Sequence, residues 1–123
     1  ECQEGTTWET MLIASKHKLN NLVLIIDYNK IQALSKLKDA LPLESLAKKF
    51  KAFNCDCIEV KDGHSFKSLV KGFKKIKNLG KPNVIILHTI KGKGFSVVEG
   101  KPDWHHKSRL SDIEVAALYK SLE

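Results

Sequence analysis

Two apolar runs in this sequence lead straight into polar loops, the first of which carries a hard oxygen donor. The first is residues 22–32, Leu-Val-Leu-Ile-Ile-Asp-Tyr-Asn-Lys-Ile-Gln. Its branched, apolar part reads as a parallel strand buried on both faces. Asp27-Tyr28-Asn29-Lys30 then forms the loop at that strand's carboxyl end, where open α/β sheets bind ligands. Asn29 offers an amide oxygen there, a hard donor suited to Mg²⁺ or Ca²⁺. The same residues also read as a plain strand-to-loop turn, because Asn and Asp favour turns. The second run is Asn83–His88, which enters the glycine-rich basic loop Lys91-Gly92-Lys93-Gly94, with Trp104-His105-His106 beyond it. Cys55-Asp56-Cys57 has no second cysteine pair to complete a zinc site, so metal binding is not expected there.

The elements that must position these residues follow from pattern. Thr6 and Glu9 match a capping box, which predicts a helix from about Thr7 to Lys18, stopped by Asn20-Asn21. The strand Leu22–Asp27 follows. Residues 32–41 show no clear period. Pro42 suits the first turn of a helix. Leu43, Leu46, Ala47, Phe50 and Phe53 then recur at helical spacing, with Asn54 as C-terminal cap. Cys55–Val60 alternates as a strand. Asp62-Gly63-His64-Ser65 turns the chain into a helix with the stripe Phe66, Leu69, Val70, Phe73 and Ile76, where Gly72 costs about 1 kcal/mol. After strand Asn83–His88, a second capping box at Ser111–Glu114 starts a helix to about Leu122. Alternating helices and strands imply right-handed crossovers and a parallel sheet, an α/β fold with helices on both faces. Three strands make a small sheet, so an earlier strand is expected to belong with it.

Bulk properties narrow the function classes. A chain of 123 residues is one domain's worth and can bury a core without disulfides. No apolar run approaches the ~18 residues needed to span a bilayer. Glu1-Cys2-Gln3-Glu4-Gly5 lacks the basic segment and apolar core of a signal peptide. Three cysteines without a framework point to reduced thiols and a cytoplasmic protein. The net charge of +7 admits nucleic acid or an acidic surface as partner. However, most lysines fall on the polar faces of two amphipathic helices, and no aromatics interleave with them as a stacking platform. Nucleic-acid binding is therefore not expected.

Five segments in order carry a resemblance: Glu1-Cys2-Gln3-Glu4-Gly5-x-x-Trp8-Glu9, Asp27-Tyr28-Asn29-Lys30-Ile31-Gln32, Asp62-Gly63-His64, His88-Thr89-Ile90-Lys91-Gly92-Lys93-Gly94 and Trp104-His105. Together they look like the diphosphate-binding domain of transketolase, a thiamine diphosphate enzyme. The resemblance spans almost the whole chain. The Lys-Gly-Lys-Gly loop and Asp-Gly-His also recur in the related deoxyxylulose phosphate synthases. The opening segment and the Trp-His pair favour the N-terminal section or subunit of bacterial transketolases. The family's metal motif begins Gly-Asp-Gly and ends in an Asn about thirty residues later. Asn29 matches that Asn, and the Gly-Asp-Gly would fall immediately before Glu1. Residues 1–123 are thus expected to be the C-terminal part of a thiamine diphosphate-binding domain, a fragment starting just after that motif.

The resemblance implies specific roles. Asn29 would give Mg²⁺ (or Ca²⁺) a side-chain oxygen and Ile31 a backbone carbonyl. Lys91 would neutralise phosphate charge, where otherwise it reads as an exposed turn lysine. His105 would donate to phosphate or move a proton, as an imidazole titrating near neutrality can. His106 has no matching role. Glu4 and Glu9 read structurally as helix-start acids; the resemblance places matching acids in a carboxylate network at a dimer interface, joining two cofactor sites. His64 and His88 carry weaker expectations, and His17 reads as helix surface. The implied activity moves a two-carbon ketol unit from a ketose to an aldose, with sugars or sugar phosphates as substrates. The implied partner is a pyrimidine-binding domain or C-terminal subunit, in a homodimer or heterotetramer. A noncatalytic basic α/β binding module is the reading from another class.

Overall fold

The computed structural model describes residues 1–33 and 35–122. In chain order the elements are α1 (Gly5–Lys16), β1 (Val23–Tyr28), β2 (Ile31–Gln32), β3 (Ser35–Lys36), α2 (Leu37–Ala40), α3 (Leu46–Ala52), β4 (Asp56–Val60), α4 (Phe66–Phe73), β5 (Asn83–His88), a 3-10 turn at Pro102–Trp104 and α5 (Asp112–Lys120). They form two compact units, Glu1–Tyr28 with Leu43–Thr89, and Asn29–Pro42 with Ile90–Glu123.

The first unit is built on a parallel sheet of order β1-β5-β4. The central strand is the driest part of the molecule: Val84, Ile85 and Ile86 are almost wholly buried. Register runs from Val23↔Asn83 to Tyr28↔His88 on one side, and from Asp56↔Asn83 to Val60↔Leu87 on the other. Alternation along the strands puts Glu59, Ile86 and His88 on one face, where the start of α3 closes a small cleft with them. Val60 lies on the opposite face, against Gly72 of α4. The sheet therefore carries helices on both faces. On the α3 side, Trp8 of α1 stacks on Phe50 at 4.8 Å and tilts against Phe53 at 5.2 Å. Asn83 is fully buried yet satisfied. Its Oδ1 accepts from the Lys77 N–H at 3.1 Å, and its Nδ2 donates to the carbonyls of Lys77 at 2.9 Å and Asn20 at 3.4 Å.

Three local expectations are corrected. The Thr6–Glu9 capping box does not form, because Glu4 is the extended N-cap residue and Thr6 already lies within α1. The third helix begins at Leu46, after Ser45, and not at Pro42. Leu43 is buried ahead of it, and Lys49 Nζ donates to the carbonyls of Leu43 and Glu44 at 3.1 and 2.8 Å, tying that segment to the helix. The α4 stripe is not the buried side. Phe66 is 85% exposed and Val70 53%, whereas Gly72 is buried and Leu69 and Ile76 are half-buried. The helix is rotated so that its smallest residue meets Val60. Asn54 takes the left-handed conformation after α3 (φ 60°), as its expected capping role requires.

In the second unit, β2 and β3 pair antiparallel, Ile31↔Lys36 and Gln32↔Ser35, and the single turn of α2 follows. These pieces are too short to show a period. The Ser111–Glu114 capping box forms as expected, and Glu114 also meets the Lys107 ammonium.

Candidate functional site

Four of the residues singled out for chemistry, Asn29, Ile31, Lys91 and His105, belong to the second unit. Asn29 follows β1 directly and is half-buried. Its Oδ1 accepts the Ile31 N–H at 2.9 Å, a turn closed by its own side chain. The turn reading and the ligand reading are therefore compatible, since an amide oxygen has a second lone pair. The hairpin decides where Ile31 points. Leu37 N–H donates to the Lys30 carbonyl at 2.9 Å, so Lys30 and Leu37 form a hydrogen-bonded pair. Ile31 and Lys36 are then the non-bonded pair, and the N–H and C=O of Ile31 turn away from the hairpin. They turn toward the side where Asn29 Oδ1 already sits. Two hard, neutral oxygens thus share one edge, a partial donor set for Mg²⁺ or Ca²⁺ that a carboxylate would have to complete. Among the described residues, no group of three or more His, Cys, Asp or Glu side chains gathers at a metal-sized site.

The basic loop is held by its own backbone. Gly92 and Gly94 adopt φ of 75° and 102°. A Cβ on Gly92 would lie 3.0 Å from Val98 Cγ1 and 3.3 Å from the Val98 carbonyl, so this closure needs glycine. Gly100 N–H donates to the Lys91 carbonyl at 2.9 Å and Phe95 N–H to the Gly92 carbonyl at 3.1 Å. Glu99 receives the Lys93 ammonium at 3.2 Å and the Gly94 N–H at 3.1 Å. Lys93 is thereby neutralised within the loop. Lys91 acts elsewhere: its charge is the main cause holding His105 below the ordinary imidazole value, with lost solvation and His106 adding to it. Residues fourteen positions apart in sequence thus share one electrostatic environment. His105 closes the 3-10 turn, its N–H donating to the Pro102 carbonyl at 2.9 Å, and its ring meets His106 edge-on at 4.3 Å. A lowered pKa keeps His105 neutral near pH 7, with one nitrogen able to donate and the other to accept.

Glu4 and Glu9 lie in the first unit, both exposed at the start of α1. The Thr6 hydroxyl donates to Glu4 at 3.4 Å, and Glu9 curls back beside Gly5. His64 sits in the expected turn, its N–H donating to Asp62 Oδ1 at 3.0 Å. His17 is the exposed cap residue after α1. His88 pairs with Glu59 at 3.2 Å and meets Tyr28 edge-on at 5.4 Å. Burial and then the Glu59 charge push the Cys57 thiol up to about 11, so it stays protonated. Sequence reasoning missed Glu99 as the acid that neutralises the basic loop. Its distance from Lys93 along the chain gave a usable signal only once the loop was known to close. It also missed Lys107, whose ammonium lies 4.6 Å over the Trp104 ring.

Residues 1–123 match the family described as transketolase, thiamine diphosphate binding domain, and the chain belongs to that family. It is 42% identical over 117 residues to one of the apulose-4-phosphate transketolase subunits of Actinobacillus succinogenes, covering 94% of this chain and 42% of that protein. It is 39% identical over 126 residues to human transketolase, covering the whole of this chain and 20% of that protein. The crystal structure of transketolase from Campylobacter jejuni superposes with a TM-score of 0.78 at 31% identity, over 85% of this chain and 16% of that one. A transketolase from Pichia stipitis, at 24% identity, shares the fold with a TM-score of 0.84 over 98% of this chain and 18% of its own. The chain therefore spans well under half the length of these relatives.

Proposed function

We propose that this chain holds the diphosphate end of thiamine diphosphate in an enzyme that transfers a two-carbon ketol unit from a ketose to an aldose. The observation that carries this reading is the second unit itself. It offers two hard oxygens on one edge, at Asn29 and Ile31, and a cationic Lys91 acting on a neutral His105. When bound, thiamine diphosphate supplies the carbon nucleophile and electron sink for breaking and remaking the carbon–carbon bond. Asn29 Oδ1 and the Ile31 carbonyl would hold Mg²⁺ (or Ca²⁺), which would offset diphosphate charge. Lys91 offsets phosphate charge. His105 donates to an oxygen of cofactor or substrate and exchanges a proton with it. Glu4 and Glu9 reach a second protomer and couple two cofactor sites.

The groups that activate the aminopyrimidine and bind sugar or sugar phosphate come from a pyrimidine-binding domain or C-terminal subunit. This division is supported by the Actinobacillus relative, which is named as one subunit of a transketolase. The assembly is a homodimer or heterotetramer, and the three free thiols suit a reducing cytoplasm. Calorimetry with thiamine diphosphate and Mg²⁺, on the protein assembled with that partner, tests the reading. Asn29→Ala removes one oxygen from a charged site, worth about 1.5–3 kcal/mol, and should weaken metal and cofactor together by about 10- to 150-fold. His105→Ala should slow ketose-to-aldose transfer more than it weakens cofactor binding. Unchanged affinity in Asn29→Ala would remove Asn29 from the site.

A further inference from the structure

The outer edge of β4 is bordered by lysines. Among the described residues, β4 pairs only with β5 and ends the sheet. Asp56 N–H turns inward, donating to the Pro82 carbonyl at 2.9 Å. In a parallel strand, alternate residues direct their backbone groups to opposite neighbours, so Cys57 and Glu59 present theirs outward. They open onto a cleft of about 690 Å³. Lysines rim it from both sides: Lys51 from α3, Lys74, Lys75 and Lys77 just beyond α4, and Lys81 ahead of β5. Among the described residues, Asp56 Oδ2 is the buried side-chain atom without a hydrogen-bond partner, and Asp56 lines this same cleft.

Two kinds of ligand suit a lysine-rimmed cleft, a phosphate polyanion and an acidic peptide, and the geometry separates them. Phosphate oxygens only accept hydrogen bonds, so a polyanion would leave the outward carbonyls without donors. An extended peptide brings alternating donors and acceptors that match a strand edge. Its side chains alternate between faces, so acidic residues meet Lys51 on one side and Lys74 and Lys75 on the other. A second copy of this chain would bring lysines against lysines, which is how edges are kept from pairing with themselves. We propose that the β4 edge docks an extended acidic segment of another protein, added as a further strand of the sheet.

The probe is a fluorescein-labelled peptide of two Glu-Glu-Val-Val repeats, which puts glutamates on both faces of the strand, titrated by anisotropy into the purified protein. Saturable binding that weakens with salt is expected. Lys74→Glu with Lys75→Glu should weaken it about tenfold or more. Two further peptides keep the protein unaltered: in each, one alternate set of backbone nitrogens is methylated. One set faces β4 and its methylation should abolish binding, while the other faces solvent and should bind like the parent. The Cys57 and Glu59 amides should gain exchange protection with the bound peptide. Failure of the parent peptide to bind, equal binding of both methylated forms, or tighter binding of inorganic polyphosphate would each overturn the proposal.

Discussion

Replacing Gly72 with alanine should destabilise this protein, although glycine is a poor helix residue. Helix propensity alone favours the change by about 1 kcal/mol. Packing opposes it. The new Cβ would lie 2.6 Å from Val60 Cγ2, against an ordinary carbon–carbon contact of about 3.5–4.0 Å. The contact must therefore open by about 1 Å. Val60 cannot move aside readily, being 5% exposed, stiff at χ1 and locked in register with Leu87 of β5. Overpacking of this kind costs about 1–3 kcal/mol. The net is a loss of up to about 2 kcal/mol. In a Val60→Ala background the obstructing methyls are gone, and Gly72→Ala should then stabilise by about 1 kcal/mol. A double-mutant cycle should accordingly give a coupling of about 2 kcal/mol. Urea denaturation followed by circular dichroism reads this as a shift in midpoint at constant slope. Stabilisation by Gly72→Ala in the natural background, or the same effect in both backgrounds, would refute the packing argument.

Other expectations follow from the electrostatics and caps. Lys91→Ala removes the main cause of the lowered His105 pKa, so the imidazole should titrate at higher pH; an NMR titration of the ring protons that shows no upward shift would separate the two residues. In the natural protein the folded His105 binds its proton less readily than the unfolded chain, so its contribution to stability is present above about pH 6.5 and declines as pH falls through that value. Glu114 behaves like other depressed carboxyls. Its value is lowered from 4.5 to about 2, chiefly by Lys107 and then by the Ser111 backbone, so its contribution is present above 4.5 and is lost as pH falls toward 2. Glu114→Gln should flatten the acid limb of an α5 melting profile. Ser111→Ala should cost about 1 kcal/mol through the lost cap, measured by the same melting.

The strands were the most legible part of the fold. Leu22–Asp27 and Asn83–His88 are branched apolar runs, and both form strands within a residue of their expected bounds. Helix ends were less legible because several residue types compete for a cap. Thr6 had the right chemistry, but Glu4-Gly5 let the helix start earlier. The α4 stripe was legible as a period and misleading as a face: a stripe says which residues share a side, but Gly72 and Val60, twelve positions apart, set which side turns inward. The hairpin at Ile31–Lys36 has no period to read, so the direction of the Ile31 carbonyl became visible only in three dimensions. Lys91 and His105 came from resemblance alone, since neither residue type nor spacing marks a lysine and a histidine that share a field.

The strand order β1-β5-β4 has a consequence for biogenesis. The two flanking strands never pair with each other; each pairs with β5, the last of the three to be synthesised. Within residues 1–123, strands 23–28 and 56–60 therefore gain their shared partner only when residues 83–88 emerge. At about 5–20 residues per second, the first strand waits several seconds for β5. Closure then comes in one step, as a single late segment bridges both earlier ones and Asn83 ties the Asn20 and Lys77 turns to it. A chain arrested before that segment leaves β4 and one edge of β1 without their β5 partner, edges open to pairing with neighbouring chains.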